Sequence, residues 1–201
     1  MSSTFMALAQ TDNQEEKPVK KTKTLFGENS KVRGFGALDF RLSEFKGDLA
    51  LLAGVHGGII INNHFMIGLG GRGITTNISF EGVNPTDKLR LYGGYGGFMI
   101  GGVFAPKEAI HITVPILIGA GGAYITDRNY LDTYVESNDF NEESAFFVIE
   151  PGLEVEINLT KFFKIGIGAT YRMVSGSDFI NLKDKELSGF SSGISLKFGK
   201  F

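Results

Sequence analysis

The sequence predicts an all-β protein, an eight-stranded antiparallel up-and-down transmembrane β-barrel. Three observations carry that expectation. After residue 31, apolar residues alternate with charged or small ones at period two through most of the chain, which is the pattern of strands with two unlike faces. The connections between these segments are, with one exception, alternately short and long, as in barrels whose strands cross a membrane. Glycine supplies 28 of the 201 residues, against 5 prolines and no cysteine. That is roughly twice the usual glycine share of about 7%, and it lacks collagen's every-third-residue repeat.

Composition removes several classes of function. A net charge of −2 argues against nucleic acid as the main partner. With 42% hydrophobic and 21% charged residues the chain is not disordered throughout. The absence of cysteine excludes a disulfide framework, a thiolate zinc site, an iron–sulfur cluster and a cysteine nucleophile. Three scattered histidines make no metal box, so no cofactor, no metal and no catalytic residue is expected.

The elements follow in chain order. Residues 1–9 read as the remnant of a signal peptide, because Ala7, Leu8 and Ala9 fit the small-x-small pattern before a cleavage site. Residues 10–31 are polar, mixed in charge and read as a solvated periplasmic tail. The barrel is expected over 32–201. Its first segment, 32–42, sets Val32, Leu38, Phe40 and Leu42 against Arg33, Asp39 and Arg41. Four greasier segments follow, at about 48–61, 64–76, 89–104 and 110–125; their second face is mostly Gly and Ala, with His56, Arg72, Arg90 and His111 interspersed. Segment 147–159 alternates most strictly, with Phe147, Ile149, Leu153, Val155 and Ile157 opposite Glu150, Glu154 and Glu156. Segments 163–173 and 190–198 repeat the pattern, the first with Lys164 and Arg172 on the polar face and the second with Lys197.

Short links at 62–63, 105–109 and 160–161 alternate with long ones at 77–88, 126–144 and 175–188; only 43–47 breaks the alternation. An even strand count puts both termini on the short-turn side, the periplasm. Each segment supplies the 9–11 residues that a tilted membrane strand needs. Pro115 and Pro151 fall inside strands and predict a bulge or a slip of phase nearby, since each removes a ladder donor.

The face opposite the large apolar residues is expected to line the lumen. It carries Arg33, Asp39, Arg41, Arg72, Arg90, Glu150, Glu154, Glu156, Lys164, Arg172 and Lys197. An eight-stranded barrel is only wide enough for its own side chains, so these charges have to pair with one another. The expectation is a stabilising plug, with a narrow charged conduit as the alternative. Glycine on this face makes room for long neighbours. His111 with Thr113 two residues on, near a glutamate, invites comparison with lipid hydrolases, but threonine is a poor nucleophile without special activation. In 126–144, six acids face one arginine; the spacing matches no calcium loop, and a solvated loop is expected. The GxGxxG spelling at 68–73 precedes no helix-like segment, as a dinucleotide site would require.

At this point the chain resembles the small eight-stranded outer-membrane β-barrels of the OmpA-barrel, OmpX and OmpW type, and within them the Gly-rich versions common in Bacteroidetes. The resemblance covers roughly 32–201. It rests on the eight period-two segments, the runs at 93–97 and 119–122, and the ending SLKFGKF over 195–201. It implies the outer membrane of a Gram-negative bacterium, contact with outer-membrane lipid and lipopolysaccharide, and a barrel-assembly signal at Phe198 and Phe201. Ile194, Leu196 and Phe198 are out of phase with Phe201, a departure from the family pattern.

Two rival folds are weaker. Gly93, Gly97 and Gly101 spell a repeated GxxxG, but the segments are shorter than the ~20 residues a membrane helix needs. A soluble lipocalin-like barrel would leave glycine on a solvated exterior. The function expected is therefore a closed, charge-plugged outer-membrane barrel acting structurally or by binding an extracellular or complex partner protein through its loops. The alternatives are a narrow porin-like channel for small or apolar solutes and a lipid-modifying enzyme.

Overall fold

The computed structural model describes residues 30–45, 48–75, 78–81, 88–126, 141–180 and 182–201. The leader segment 1–9, all but the last two residues of the tail 10–31, and the middle of two long loops lie outside the described residues.

Among the described residues nine strands form one sheet: β1 (Val32–Phe45), β2 (Asp48–Ile61), β3 (Phe65–Ile74), β4 (Ile78–Glu81), β5 (Lys88–Phe104), β6 (Ile110–Thr126), β7 (Asn141–Asn158), β8 (Phe163–Ser175) and β9 (Gly189–Gly199). A short helix, α1 (Asp184–Leu187), precedes β9. Successive strands pair antiparallel except β3 with β4, β1 pairs with β9, and both β3 and β4 pair with β5. Strands β3 and β4 therefore share one track, and the sheet is a closed eight-stranded barrel. Closure satisfies the backbone without an exposed edge. The GxGxxG spelling lies within β3 and the GxxxG run within β5, so neither belongs to a helix.

The alternation expected from sequence places one face of each strand outward. On β1 the odd-numbered residues from Phe35 to Phe45 are buried and the even ones exposed. Large apolar side chains cover the outside, with Phe98 and Phe147 each 72% exposed. Aromatic side chains gather towards both ends of this belt. Tyr92 with Tyr124 and Tyr171 with Phe190 lie near the long-loop end; Phe162 and Phe163 meet Phe198 at the short-turn end. Such girdles mark the two membrane interfaces of a transmembrane barrel. On a water-soluble protein this belt would be an aggregation surface.

Several expectations need correction. The prolines cause no slip. The β6–β7 register is the same on both sides of Pro115, as is the β7–β8 register on both sides of Pro151. Each proline merely opens the ladder on the side where its N–H would have donated. The real break lies elsewhere: Gly73 pairs with Gly94 and Ile78 with Leu91, so the β3–β4 track carries two extra residues there. The strands also outrun the expected bounds, because pairing continues above the membrane. Thr126 pairs with Asn141, which moves Glu142 and Glu143 from the acidic loop into β7. Glycine, finally, is not confined to the inside. Gly93, Gly97 and Gly101 alternate with buried Leu91, Tyr95, Met99 and Val103, whereas Gly94 and Gly96 share the outward phase of exposed Phe98.

A sealed lumen as candidate functional site

Nine of the eleven residues expected in the lumen are buried there: Asp39, Arg41, Arg72, Glu150, Glu154, Glu156, Lys164, Arg172 and Lys197. Eight of them join into one chain of ion pairs along the interior. Near the long-loop end, Arg72 Nη1 lies 3.2 Å from Glu150 Oε2, and its Nη2 lies 3.5 Å from Asp39 Oδ2. Asp39 also takes His56 Nδ1 at 2.6 Å and Arg41 Nη2 at 3.3 Å. The same Arg41 nitrogen donates to Glu154 Oε1 at 2.5 Å. The other oxygen of Glu154 accepts from Lys197 Nζ at 2.7 Å, and Lys197 bridges to Glu156 Oε1 at 2.6 Å. Glu156 closes the chain towards the short-turn end, with His111 Nε2 at 3.0 Å and Lys164 Nζ at 3.6 Å.

Seven of the eight barrel tracks are joined in this way, which residues spaced two apart on neighbouring strands achieve once the barrel closes. Glycine makes room for the long side chains. A Cβ on Gly54 would lie 2.6 Å from Arg72 Cγ, and one on Gly168 would lie 2.6 Å from Glu154 Cγ. The four carboxylates of Asp39, Glu150, Glu154 and Glu156 match in number the four lysine and arginine cations Arg41, Arg72, Lys164 and Lys197. A charge buried in an apolar sheath is costly unless it meets an opposite one, and each of these eight does, although Arg41 Nε and Nη1, Arg72 Nε and Glu150 Oε1 make no hydrogen bond.

The other two expected residues lie apart. Arg33 is half-buried at the short-turn rim, on the inward phase of β1. Arg90 corrects the expectation. It sits half-buried on the outward phase of β5, beside fully buried Leu91. The cause is a change of polarity along the axis. Near the long loops the interior is apolar, built from Phe45, Leu52, Leu91, Ile125, Phe146, Val174 and others, while the outside there is above the hydrocarbon. A polar-in rule taken from the membrane region therefore assigns the wrong face.

The apolar mouth has a roof. Leu182 and Leu187, 1% and 2% exposed, pack into it from the segment before β9. Arg172 Nε donates to the Leu187 carbonyl at 2.7 Å, and Val174 N donates to Ser188 Oγ at 2.9 Å. Loop 175–188, expected as a presented loop, is thus partly turned inward, because its two leucines have apolar walls to bury against. The signal was available in principle as two leucines inside a polar loop.

Asp184 organises the start of this segment. It accepts hydrogen bonds from the N–H of Gly176 at 3.0 Å, from the N–H of Ser177 at 2.9 Å, and from the Ser177 hydroxyl. These donors, the serine hydroxyl foremost, hold its carboxyl below the ordinary value of 3.8. A depressed pKa adds stability above that ordinary value, and the contribution is lost as pH falls through the folded value. Protection of the Gly176 and Ser177 amides from hydrogen exchange is expected to fall as pH drops below about 4, and Asp184→Asn is expected to lower it already at neutral pH. Protection that is flat with pH and unchanged in the variant would contradict this.

At the short-turn end Phe201 is half-buried against Phe35, Met66 and Met99, with Lys164 Nζ 4.0 Å from its ring centroid. Phe198 instead faces outward, stacked on Phe163 at 4.9 Å. The two residues proposed as one assembly signal point to opposite faces.

Among the described residues no group of three His, Asp or Glu could hold a metal ion. No helix among them is long and apolar enough to cross a membrane.

No protein-family model and no curated protein matches the sequence. Solved structures do match the fold. Neisserial surface protein A superposes with a TM-score of 0.58 at 10% identity, covering 87% of this chain and all of that one. Ail, the attachment invasion locus protein of Yersinia pestis, superposes with a TM-score of 0.50 at 16% identity, covering 86% of this chain and 98% of that one. Fold, belt and girdles together define the class: this is an integral β-barrel of the small outer-membrane type. Within that class it is an eight-stranded barrel with a charge-paired lumen and a roofed mouth.

Proposed function

We propose that this protein is a non-conducting outer-membrane barrel that acts through the extracellular parts it presents, as a structural or binding element. The observation that carries this reading is the continuous plug. The ion-pair chain from Glu150 to Lys164 fills the lumen, apolar side chains roofed by Leu182 and Leu187 close one end, and Phe201 narrows the other. A conduit needs polar groups facing water, whereas these face one another.

The lipid-modifying alternative gains no support. His111 is 2% exposed and engaged by Glu156 and Lys164 inside the lumen, with Thr113 buried beside it, out of reach of the surrounding lipid. Under this reading the partners are outer-membrane lipid and lipopolysaccharide around the belt, the barrel-assembly machinery during insertion, and a protein partner at the loops. The name of Ail, an attachment protein with the same fold, is consistent with such a loop partner.

The test is conductance. Purified full-length protein inserted in planar bilayers is expected to show no stepwise current. Reproducible single-channel steps from the wild type would overturn the closed-barrel reading and favour the narrow channel.

A further inference from the structure

Arg172 does not fit the balance of the lumen. Among the described residues, the other four buried lysine and arginine side chains match the four buried carboxylates in number, and Arg172 is a fifth cation, 1% exposed. Among the described residues it meets no carboxylate. Its Nε donates to the Leu187 carbonyl, its Nη1 to Ser43 Oγ at 3.3 Å, and its Nη2 has no partner. Its guanidinium lies 4.0 Å from the Phe45 ring centroid and 5.7 Å from that of Tyr95. An unpaired buried cation is costly, and among the described residues that cost is met by neutral oxygens and aromatic faces.

The surroundings of Arg172 are apolar. Phe45, Ile74, Phe146 and Val174 wall a chamber at the barrel mouth that Leu187 roofs, leaving room for about one water, about 10 Å³. The chamber is thus filled by the chain itself. What fills it is informative: a branched aliphatic side chain against the walls, with an oxygen acceptor on the guanidinium. The occupant supplies the shape and the acceptor but lacks the negative charge.

We propose that the mouth is a blind binding pocket for a carboxylate-headed acyl chain, with Leu187 holding the place of the ligand in the closed state. The carboxylate would pair with Arg172 through Nε and the unpartnered Nη2, a bidentate geometry to which guanidinium is suited. The acyl chain would take the walls vacated by Leu182 and Leu187. The charge plug below is untouched, so the pocket is blind and the barrel stays closed. The inference therefore stands or falls separately from conductance.

The chain contains no Trp, so Phe179→Trp, half-buried against the same apolar cluster, makes the full-length protein report on its own roof. Decanoate and decanol are titrated against this protein in phosphatidylcholine vesicles. Decanoate is expected to give a saturable change in emission, and decanol at equal bilayer concentration only the small linear drift of partitioning. Leu187→Ala, which weakens the internal competitor, is expected to tighten decanoate binding severalfold. Adding Arg172→Gln to Leu187→Ala is expected to weaken decanoate about tenfold or more, the scale of a charge-assisted hydrogen bond, and to leave decanol unchanged. Equal responses to acid and alcohol, a decanoate response indifferent to Arg172→Gln, or no saturable response in Leu187→Ala would each overturn the proposal. A heat-modifiable gel band confirms that each variant is folded.

Discussion

Lys197→Met is expected to lower the stability of the barrel by about 3–5 kcal/mol, the cost of removing one partner from a buried ion pair. Lys197 is 3% exposed and bridges Glu154 and Glu156 at 2.7 and 2.6 Å. Methionine keeps most of the length and the apolar stem, but leaves four buried carboxylates facing three paired cations. Glu154 retains Arg41, and Glu156 retains His111 and Lys164, so the chain of pairs is cut in the middle rather than dissolved. Equilibrium unfolding in urea from phospholipid vesicles measures the loss. Adding Glu156→Gln to the variant restores the charge balance and is expected to recover part of the stability. A midpoint equal to wild type would show that water enters the lumen and screens these charges, and would count against the sealed plug.

The second large effect comes from a residue with no side chain. Gly168→Val is expected to destabilise by about 1–3 kcal/mol through overpacking, with a further loss as Glu154 is displaced. The Cβ position at Gly168 lies 2.6 Å from Glu154 Cγ and 2.9 Å from Glu154 Cα. A backbone atom cannot yield as a flexible side-chain end can, and Glu154 holds both Arg41 and Lys197. Gly36→Val is the control. A Cβ there meets nothing within 4 Å, and the residue is exposed on the outward phase of β1. It is expected to fold with a midpoint near wild type. Equal tolerance of the two substitutions would mean that the inward glycines are not making room for the network.

Much of the barrel is legible in the chain because a strand writes its two faces at a spacing of two residues. Glu150, Glu154 and Glu156 against Ile149, Leu153 and Val155 announce both the strand and its inner side without reference to anything distant. The same local rule fails where its premise changes. It assumes that inside is polar and outside is lipid, and Arg90 lies beyond the height where that holds. Its neighbour Leu91 takes the inward seat because the mouth is apolar. The prolines mislead for a related reason. A missing donor is visible in sequence, but whether the ladder absorbs it by a gap or a slip depends on the pairs either side. Those pairs are in register for both Pro115 and Pro151.

The site is less legible than the fold. The signs of charge and their shared face are local properties, and so is the need for them to pair. Which cation meets which carboxylate depends on the stagger of neighbouring strands, and so does the role of Glu154 as the link between Arg41 and Lys197. The position of Arg172 as the unmatched fifth cation follows only once the other four are assigned. The roof is decided later still. Leu182 and Leu187 reach the mouth from a loop whose spelling is polar, and only closure of the barrel creates the apolar walls that draw them in.

The sequence by itself determined an eight-stranded membrane barrel with a charged interior, because period two, segment length and loop alternation are short-range quantities that one chain displays in full. The tertiary structure alone decided how the interior is closed: one continuous ion-pair chain, an apolar mouth under two leucines, and a buried arginine held by a carbonyl oxygen. The reason is geometric, since each of these contacts joins residues from different parts of the chain, and their distances exist only after the ring of strands has closed.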